Sequence, residues 1–170
     1  MSTFDLSQAM SRAAERLGKP RNIRRARSDR GRSRLPPEVA AELRAALLGQ
    51  ERPPMAAVLE RLRAFCKSRH LRPPARATVY EWMETVLVPG YLIEELPAAV
   101  RETLYNLPPT GEIPGPQLAF HCFNLGNLGA MSFAAGLPWL TLHQAARCRG
   151  WRRGSRGALA AVLTVRGISS

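Results

Sequence analysis

Pairs of adjacent prolines constrain the fold of this chain more than any other feature. They stand at residues 36–37, 53–54, 73–74 and 108–109. Proline has no backbone N–H, and its ring clashes with the preceding turn of a helix, so a helix does not run through such a pair. A helix can begin directly at one, because the first-turn N–H groups have no intrahelical partner. The sequence therefore predicts short helices whose starts are set by prolines.

Apolar residues recur at helical spacing after the first two proline pairs. The first of these helices is predicted to end at Gly49, and the second carries charged residues on its opposite face. The apolar positions of the two helices are Val39, Leu43, Ala46 and Leu47, then Met55, Val58, Leu59, Leu62, Phe65 and Cys66. The pattern indicates two amphipathic helices.

A third helix is predicted from about residue 75 to 86, after the turn that Arg72, Pro73 and Pro74 force on the chain. Its predicted inward residues are Val79, Trp82 or Met83, and Val86, and its predicted outward residues are Arg76, Thr78, Tyr80 and Glu81. Two helices, a basic turn and a short third helix are the order of a helix-turn-helix module. The following LVPGYLIEEL is either a short hairpin, which would make the module winged, or a linker.

The span from about Leu47 to Val86, and RPPARATVYEWM above all, resembles the helix-turn-helix modules at the front of bacterial transposases and integrases. In those modules a basic-Pro-Ser/Ala-Arg-x-Thr-Val-Tyr string opens the recognition helix. The resemblance implies that Arg76, Thr78 and Tyr80 face DNA, and we add Arg72 as a further contact. It covers about a quarter of the chain, and it implies the binding module alone because the length and carboxylates of a transposase catalytic domain are absent.

The C-terminal part is predicted to be helical as well. Residues 97–107 form one predicted helix, and PQLAFHCFNLGNL begins another that is apolar nearly all round and therefore buried. Ser132, Gly136 and Leu142 have the spacing of a simple bacterial helix-turn-helix, in which the glycine takes a positive φ. A helical hairpin that packs on the first domain is an equally favoured interpretation of the same segment.

In the helix-turn-helix interpretation, Thr141 and Gln144 point outward from the second helix of this unit. Arginines crowd the end of that helix, in a glycine-rich loop beside Trp151 that suits phosphate contacts. They are Arg147, Arg149, Arg152, Arg153 and Arg156. The segment AFHCFNLGNLGAMSFAAGLPWLTLHQAARCRGW as a whole also resembles small regulators encoded beside bacterial toxin genes. This resemblance favours an antitoxin-like or autoregulatory role.

The charge of the chain is strongly positive and unevenly distributed. There are 25 Lys and Arg against 13 Asp and Glu, a net charge of +12, and only Lys19 and Lys67 are lysine. Residues 1–35 carry +7, residues 36–95 are neutral and residues 96–170 carry +5. The guanidinium of arginine forms bidentate hydrogen bonds with phosphates and with the edge of guanine, so the composition favours a nucleic-acid partner.

The densest basic stretch runs from Lys19 to Pro37. Because it has few aliphatic residues to bury, we interpret it as a disordered arm. A short helix is predicted before it, at residues 3–17. The arm is expected to bind phosphates, against the alternatives of a linker without a partner or a membrane-surface segment. Its candidate contacts are Arg21, Arg24, Arg25, Arg27, Arg30, Arg32 and Arg34.

Several classes of protein are excluded on the sequence. No run of about 18 apolar residues exists for a membrane span, and the N-terminus lacks the apolar core of a signal peptide. Three cysteines are too few for a disulfide framework, so a cytoplasmic location is expected. We find no catalytic constellation, phosphate loop or cofactor site. The spacing of His121, Cys122, His143 and Cys148 matches no zinc pattern, and buried side chains are the better interpretation.

The sequence thus predicts an all-α protein with a basic arm (1–35), a helix-turn-helix domain (36–92) and a second helical domain (96–170). Its expected function is sequence-specific binding of double-stranded DNA as a bacterial regulator of the antitoxin or autorepressor type, without enzymatic activity. One alternative is an antitoxin or adaptor that grips a protein such as a toxin through its C-terminal helices. Another is an RNA-binding protein that uses the arm. We also expect the protein to form a homodimer, since a single helix-turn-helix module seldom reaches useful specificity for a DNA sequence.

Overall fold

Eight helices and a two-stranded sheet make up the part of the chain that the structure, a computed structural model, describes: residues 35–168. The helices are α1 (Pro37–Leu47), α2 (Met55–Ser68), α3 (Arg76–Thr85), α4 (Ala98–Arg101), α5 (Gly115–Leu125), α6 (Leu128–Ala135), α7 (Trp139–Ala145) and α8 (Arg153–Val165). The strands are β1 (Gly90–Leu92) and β2 (Glu112–Pro114). No helix within residues 35–168 is long and apolar enough to cross a bilayer. The helix predicted at 3–17 and the seven arginines of the arm lie outside the described residues.

The proline pairs set the starts of the first three helices, as predicted. Pro36 is the N-cap of α1 and Pro54 that of α2, while α3 begins two residues after Pro74. The apolar stripes also lie as predicted, with both Trp82 and Met83 of α3 turned inward. The buried residues of the three helices are Val39, Leu43, Leu47, Val58, Leu62, Cys66, Val79, Trp82 and Met83.

The chain reverses sharply between α2 and α3. His70 has a φ of 54°, in the left-handed region, and the Leu71 amide donates 2.8 Å to the Cys66 carbonyl, which satisfies one of the last carbonyls of α2. Seven residues, 69–75, separate the two helices. This turn is longer than the three or four residues of a simple helix-turn-helix.

The sheet corrects the all-α prediction. β1 pairs antiparallel with β2, with Gly90 opposite Pro114, Tyr91 opposite Ile113 and Leu92 opposite Glu112. The stretch after α3 is therefore neither a local hairpin nor a plain linker, because its partner strand lies about twenty residues further along the chain. Strands of three residues are too short for an alternating pattern to reveal them.

The helix predicted at 97–107 is only partly present. It consists of the one-turn helix α4 and a 3₁₀ turn at Glu102–Leu104. Val100 and Leu104 are buried as predicted. The proline pair at 108–109 disfavours helical backbone in the residue before it, so the helix cannot extend to residue 107.

Helix α5 is the centre of the C-terminal part of the fold. It packs against α6, α7, α8 and β2, and it is buried on nearly every side, as its apolar sequence predicts. Its buried polar residues are His121 and Asn124. The helices that follow α5 in the chain thus pack around one helix that the sequence predicts to be buried.

Direct hydrogen bonds join the two halves of the described chain. The indole Nε1 of Trp139 donates 2.9 Å to the carbonyl of Leu47 on α1. The guanidinium of Arg166 donates 2.6 Å to the carbonyl of Leu137 and 2.7 Å to that of Gln50. Residues on either side of 92–96, the predicted domain boundary, therefore share one compact unit and one core.

Candidate nucleic-acid interface

Basic residues concentrate where α2 turns into α3. Between residues 61 and 76 there are six basic residues and no acidic one. Arg61 pairs with Glu42 at 2.5 Å. The other five are exposed, and none forms an ion pair with a described carboxylate. We call these five, Arg63, Lys67, Arg69, Arg72 and Arg76, the α2–α3 edge.

Aromatic rings hold two guanidiniums of the edge. Arg69 lies 5.8 Å from the centre of the Phe65 ring, and Arg76 lies 5.4 Å from that of Tyr80. Arg76 also donates 3.2 Å to the Tyr80 hydroxyl. Such cation–π contacts restrict the arginine stems while the charged groups remain in water. Two charges of the edge are therefore partly ordered before any partner binds.

The outer surface of α3 carries a ridge formed by Arg76, Tyr80 and Glu84, spaced at i, i+4 and i+8. Arg76 is exposed and Tyr80 is half-buried. Thr78 is also half-buried, but it lies about 200° around the helix from Arg76 and so is not on this ridge. The three side chains that the resemblance implies to face DNA thus divide between two flanks. Glu81 is exposed as predicted.

A groove of about 240 Å³ separates α2 from the start of α3. Its lining is mostly apolar, with charged residues at the rim: Met55, Ala56, Leu59, Glu60, Arg63 and Arg76. This volume is below that of ordinary small-molecule sites. The groove instead adds apolar contact area beside two cations of the α2–α3 edge.

The prediction that Thr141 and Gln144 point outward is wrong. Thr141 is fully buried, and Gln144 donates to the carbonyls of Met83 and Val86 at 2.8 and 2.9 Å. Helix α7 packs against α3, α5 and α8, so its polar residues face protein on more than one side. A helix enclosed in this way cannot enter a DNA groove.

The glycine of the second helix-turn-helix pattern does not take the predicted conformation. Gly136 has a φ of −82° and a ψ of −5°, close to helical values. The chain passes from α6 to α7 through three residues without a left-handed turn. The Ser132, Gly136 and Leu142 spacing therefore spans two short helices, α6 and α7, that both pack against α5.

The C-terminal arginines divide between a loop and a helix. Arg147 and Arg149 lie between α7 and α8, whereas Arg152 is the N-cap of α8 and Arg153 its first residue. The predicted glycine-rich loop is therefore partly helix α8, in which Leu159, Val162 and Leu163 repeat at helical spacing. Four of these arginines are exposed and form no ion pair with a described carboxylate: Arg149, Arg152, Arg153 and Arg156. We call these four the C-terminal arginine segment.

Asn124 fixes this segment to the core. Its side chain accepts 2.9 Å from the Arg152 amide and donates 3.2 Å to the Gly150 carbonyl. Trp151 packs edge-on against Phe120 with 4.9 Å between ring centres. Sequence reasoning missed Asn124, and the available signal was an amide side chain among the apolar residues of α5.

Arg147 and Glu84 form an ion pair of 2.6 Å between the α7–α8 connection and α3. Both side chains are well exposed, at 52% and 40%. The pair extends the ridge of α3 to a further cation, although the sequence separates the two residues widely. Neither residue type nor spacing predicts it.

The buried titratable groups of α5 do not form a metal site. Burial lowers the pKa of His121 and raises that of Cys122 to about 11. Burial, followed by the charges of Arg147 and Arg52, lowers the pKa of His143. Within residues 35–168, no three His, Cys, Asp or Glu side chains are grouped closely enough to hold a metal ion.

Comparison with known proteins does not place this chain in a family. No protein-family model, curated protein or solved structure matches it. The function must therefore be argued from the surface described above.

Proposed function

We propose that this protein binds double-stranded DNA through the α2–α3 edge and acts as a transcriptional regulator of the autorepressor type. The observation that carries the proposal is the edge itself, five exposed cations within fourteen residues that no described carboxylate neutralises. Like charges crowded on one surface destabilise a protein unless a partner offsets them. A phosphate backbone offsets them and releases its counterions.

The ridge of α3 supports a duplex as the form of nucleic acid. A short helix with an arginine and a tyrosine near its N-terminal end is the kind of element that reads base edges in a major groove. Arg76 and Tyr80 are joined by a hydrogen bond and a cation–π contact, so they present one polar surface. Single-strand binding needs exposed rings on which bases stack. The rings of Phe65 and Tyr80 at the α2–α3 edge are half-buried beneath arginines.

Acidic residues limit how α3 can dock. Glu81 and Glu84 occupy the C-terminal half of its outer surface, where a phosphate would be repelled. Glu84 is neutralised by Arg147. We therefore place the base contacts at the N-terminal half of α3, with Arg72 and Arg76 closest to the DNA.

The test is fluorescence anisotropy of a labelled duplex from the region upstream of the gene, with a scrambled duplex as competitor, across a salt series. The variants are Arg76→Gln and Arg72→Gln, and the matched control is Arg101→Gln, an exposed arginine on α4 without a side-chain partner in the described chain. We expect a preference of about a hundredfold for the native duplex, about 2.7 kcal/mol. Arg76→Gln should remove most of it and Arg101→Gln none.

Equal binding of both duplexes, unchanged in Arg76→Gln, would contradict sequence-specific recognition. Tighter binding to a structured RNA competitor than to any duplex would show that the partner of the α2–α3 edge is RNA instead of double-stranded DNA. A salt dependence worth only one or two phosphates would contradict a phosphate-binding edge of five cations.

A further inference from the structure

Cations lie at both ends of the α3 ridge. Arg76 stands at its N-terminal end, and Arg147 is bound to Glu84 at its C-terminal end, at 2.6 Å. Eight residues of helix place Arg76 and Glu84 about 12 Å apart along the axis. The major groove of B-DNA has a similar width, about 12 Å. The ridge therefore has the length to cross one groove with a cation near each border.

The C-terminal cation is held in a fixed position relative to α3. The amide of Gln144, at the end of α7, binds two carbonyls in the last turn of α3. Arg147 follows three residues later and is joined to Glu84. Two independent contacts thus fix the start of the α7–α8 connection beside the C-terminal end of α3.

Internal contacts do not account for the C-terminal arginine segment that follows. Its four side chains have no carboxylate partner among the described residues. Arg152 and Arg153 also stand at the start of α8, where the helix dipole disfavours positive charge. The folded chain alone is destabilised by this arrangement, whereas a polyanion at the same surface would be attracted.

We propose that Arg147 and the C-terminal arginine segment contact the phosphate strand on the far side of the major groove that α3 enters. The α2–α3 edge contacts the strand on the near side. Glu84 is a positioning residue, because it holds Arg147 at the groove border without touching the DNA. This inference rests on the proposed function and makes the DNA contact bipartite on a single duplex.

The test compares salt slopes of binding to a labelled duplex of about 20 base pairs, two helical turns. The variants are Arg147→Gln, Arg147→Lys, Glu84→Gln, the triple variant Arg149→Gln/Arg152→Gln/Arg153→Gln, and Arg72→Gln/Arg76→Gln. The control is again Arg101→Gln. Each lost phosphate contact lowers the slope of log K against log salt by about 0.9. We expect a loss of roughly 2 to 3 for the triple variant, about 1 for Arg147→Gln, and none for Arg147→Lys.

Glu84→Gln separates positioning from simple charge. Removing an acidic group near DNA strengthens binding if only net charge matters. If Glu84 positions Arg147, Glu84→Gln lowers the salt slope by the equivalent of about one phosphate contact, as Arg147→Gln does. The double variant Glu84→Gln/Arg147→Gln then lowers the slope by no more than either single variant. Stronger binding with an unchanged slope would overturn the positioning role.

Stoichiometry tests whether one duplex is contacted by both surfaces. We expect both surfaces of a chain to occupy the same duplex, with slope losses from the triple variant and from Arg72→Gln/Arg76→Gln that add. An unchanged slope in the triple variant, or separate duplexes bound by the two arginine groups, would overturn the bipartite contact and leave DNA binding by the α2–α3 edge intact. A slope insensitive to Arg72→Gln/Arg76→Gln would overturn the proposed function itself.

Discussion

The side-chain amide of Gln144 donates a hydrogen bond of 2.8 Å to the backbone carbonyl of Met83. The same nitrogen donates 2.9 Å to the carbonyl of Val86. Carbonyls in the last turn of a helix have no intrahelical partner, so a side chain from another element must satisfy them when they are buried. Gln144 does so for α3 from the end of α7. Gln144, which is predicted from the sequence to contact DNA, therefore joins two helices of the core.

Gln144→Leu is predicted to destabilise the fold. The change keeps the approximate volume and removes both donors, which leaves the two carbonyls of α3 without this partner. We expect a loss of about 1–3 kcal/mol in the free energy of unfolding, measured by urea denaturation. Gln117→Leu is the matched control, because Gln117 is exposed on α5 and forms no described side-chain hydrogen bond. Equal losses in the two variants would contradict a capping role for Gln144.

Trp139→Phe is predicted to cost more stability than Trp151→Phe. The indole N–H of Trp139 is fully buried and bonded to the Leu47 carbonyl, whereas that of Trp151 is buried without a described partner. Both changes remove the same atoms. Only the first leaves an acceptor unsatisfied, so the two losses should differ by about 1–3 kcal/mol.

Urea denaturation of the two tryptophan variants measures this difference directly. A larger loss for Trp151→Phe would show that the contact of Trp151 with Phe120 matters more than the bond from α7 to α1. The expected order instead places the Trp139 hydrogen bond among the main links between the two halves of the chain.

Local chemistry made the first three helices predictable. Prolines fix the starts of α1 and α2, and the apolar stripes identify the buried faces. The pairing of Arg76 with Tyr80 follows from i, i+4 spacing on a helix. These features depend on residues within one or two turns of each other, which a single sequence records.

Features that depend on distant residues were not predictable. The pairing of β1 with β2 and the ion pair between Glu84 and Arg147 join segments with no local signal. The outward prediction for Thr141 failed for a related reason. A polar side chain on a short helix suggests solvent, but α7 is enclosed by neighbours from three other helices, and tertiary packing decides its exposure.

Arg166→Met is predicted to loosen the contact between the α1–α2 loop and the α6–α7 turn. The Arg166 side chain is only 15% exposed, and its guanidinium donates to the carbonyls of Ala135, Leu137 and Gln50. Hydrogen bonds from a charged donor contribute about 1.5–3 kcal/mol, so we expect a loss on the order of 2–3 kcal/mol. Arg101→Met, at an exposed arginine, should change the free energy of unfolding by less than about 0.5 kcal/mol. A similar small effect for Arg166→Met would contradict its role as a link.

His121 is predicted to make the fold less stable in mild acid. It is 7% exposed, its Nδ1 has no described hydrogen-bond partner, and burial lowers its pKa below the ordinary 6.5. As pH falls through 6.5, the unfolded chain takes up a proton at this residue while the folded chain does not. The contribution of His121 to stability is thus fully present above 6.5 and declines below it, by at most about 1.4 kcal/mol per pH unit for one proton.

Urea denaturation between about pH 5 and pH 7.5 tests this, over the range in which histidine titrates. His121→Leu should flatten the acid decline of the free energy of unfolding, because the leucine has no proton to gain. Part of the decline should persist, since burial also lowers the pKa of His143. If wild type and His121→Leu lose stability in parallel as pH falls, protonation of His121 in the unfolded chain does not cause the decline.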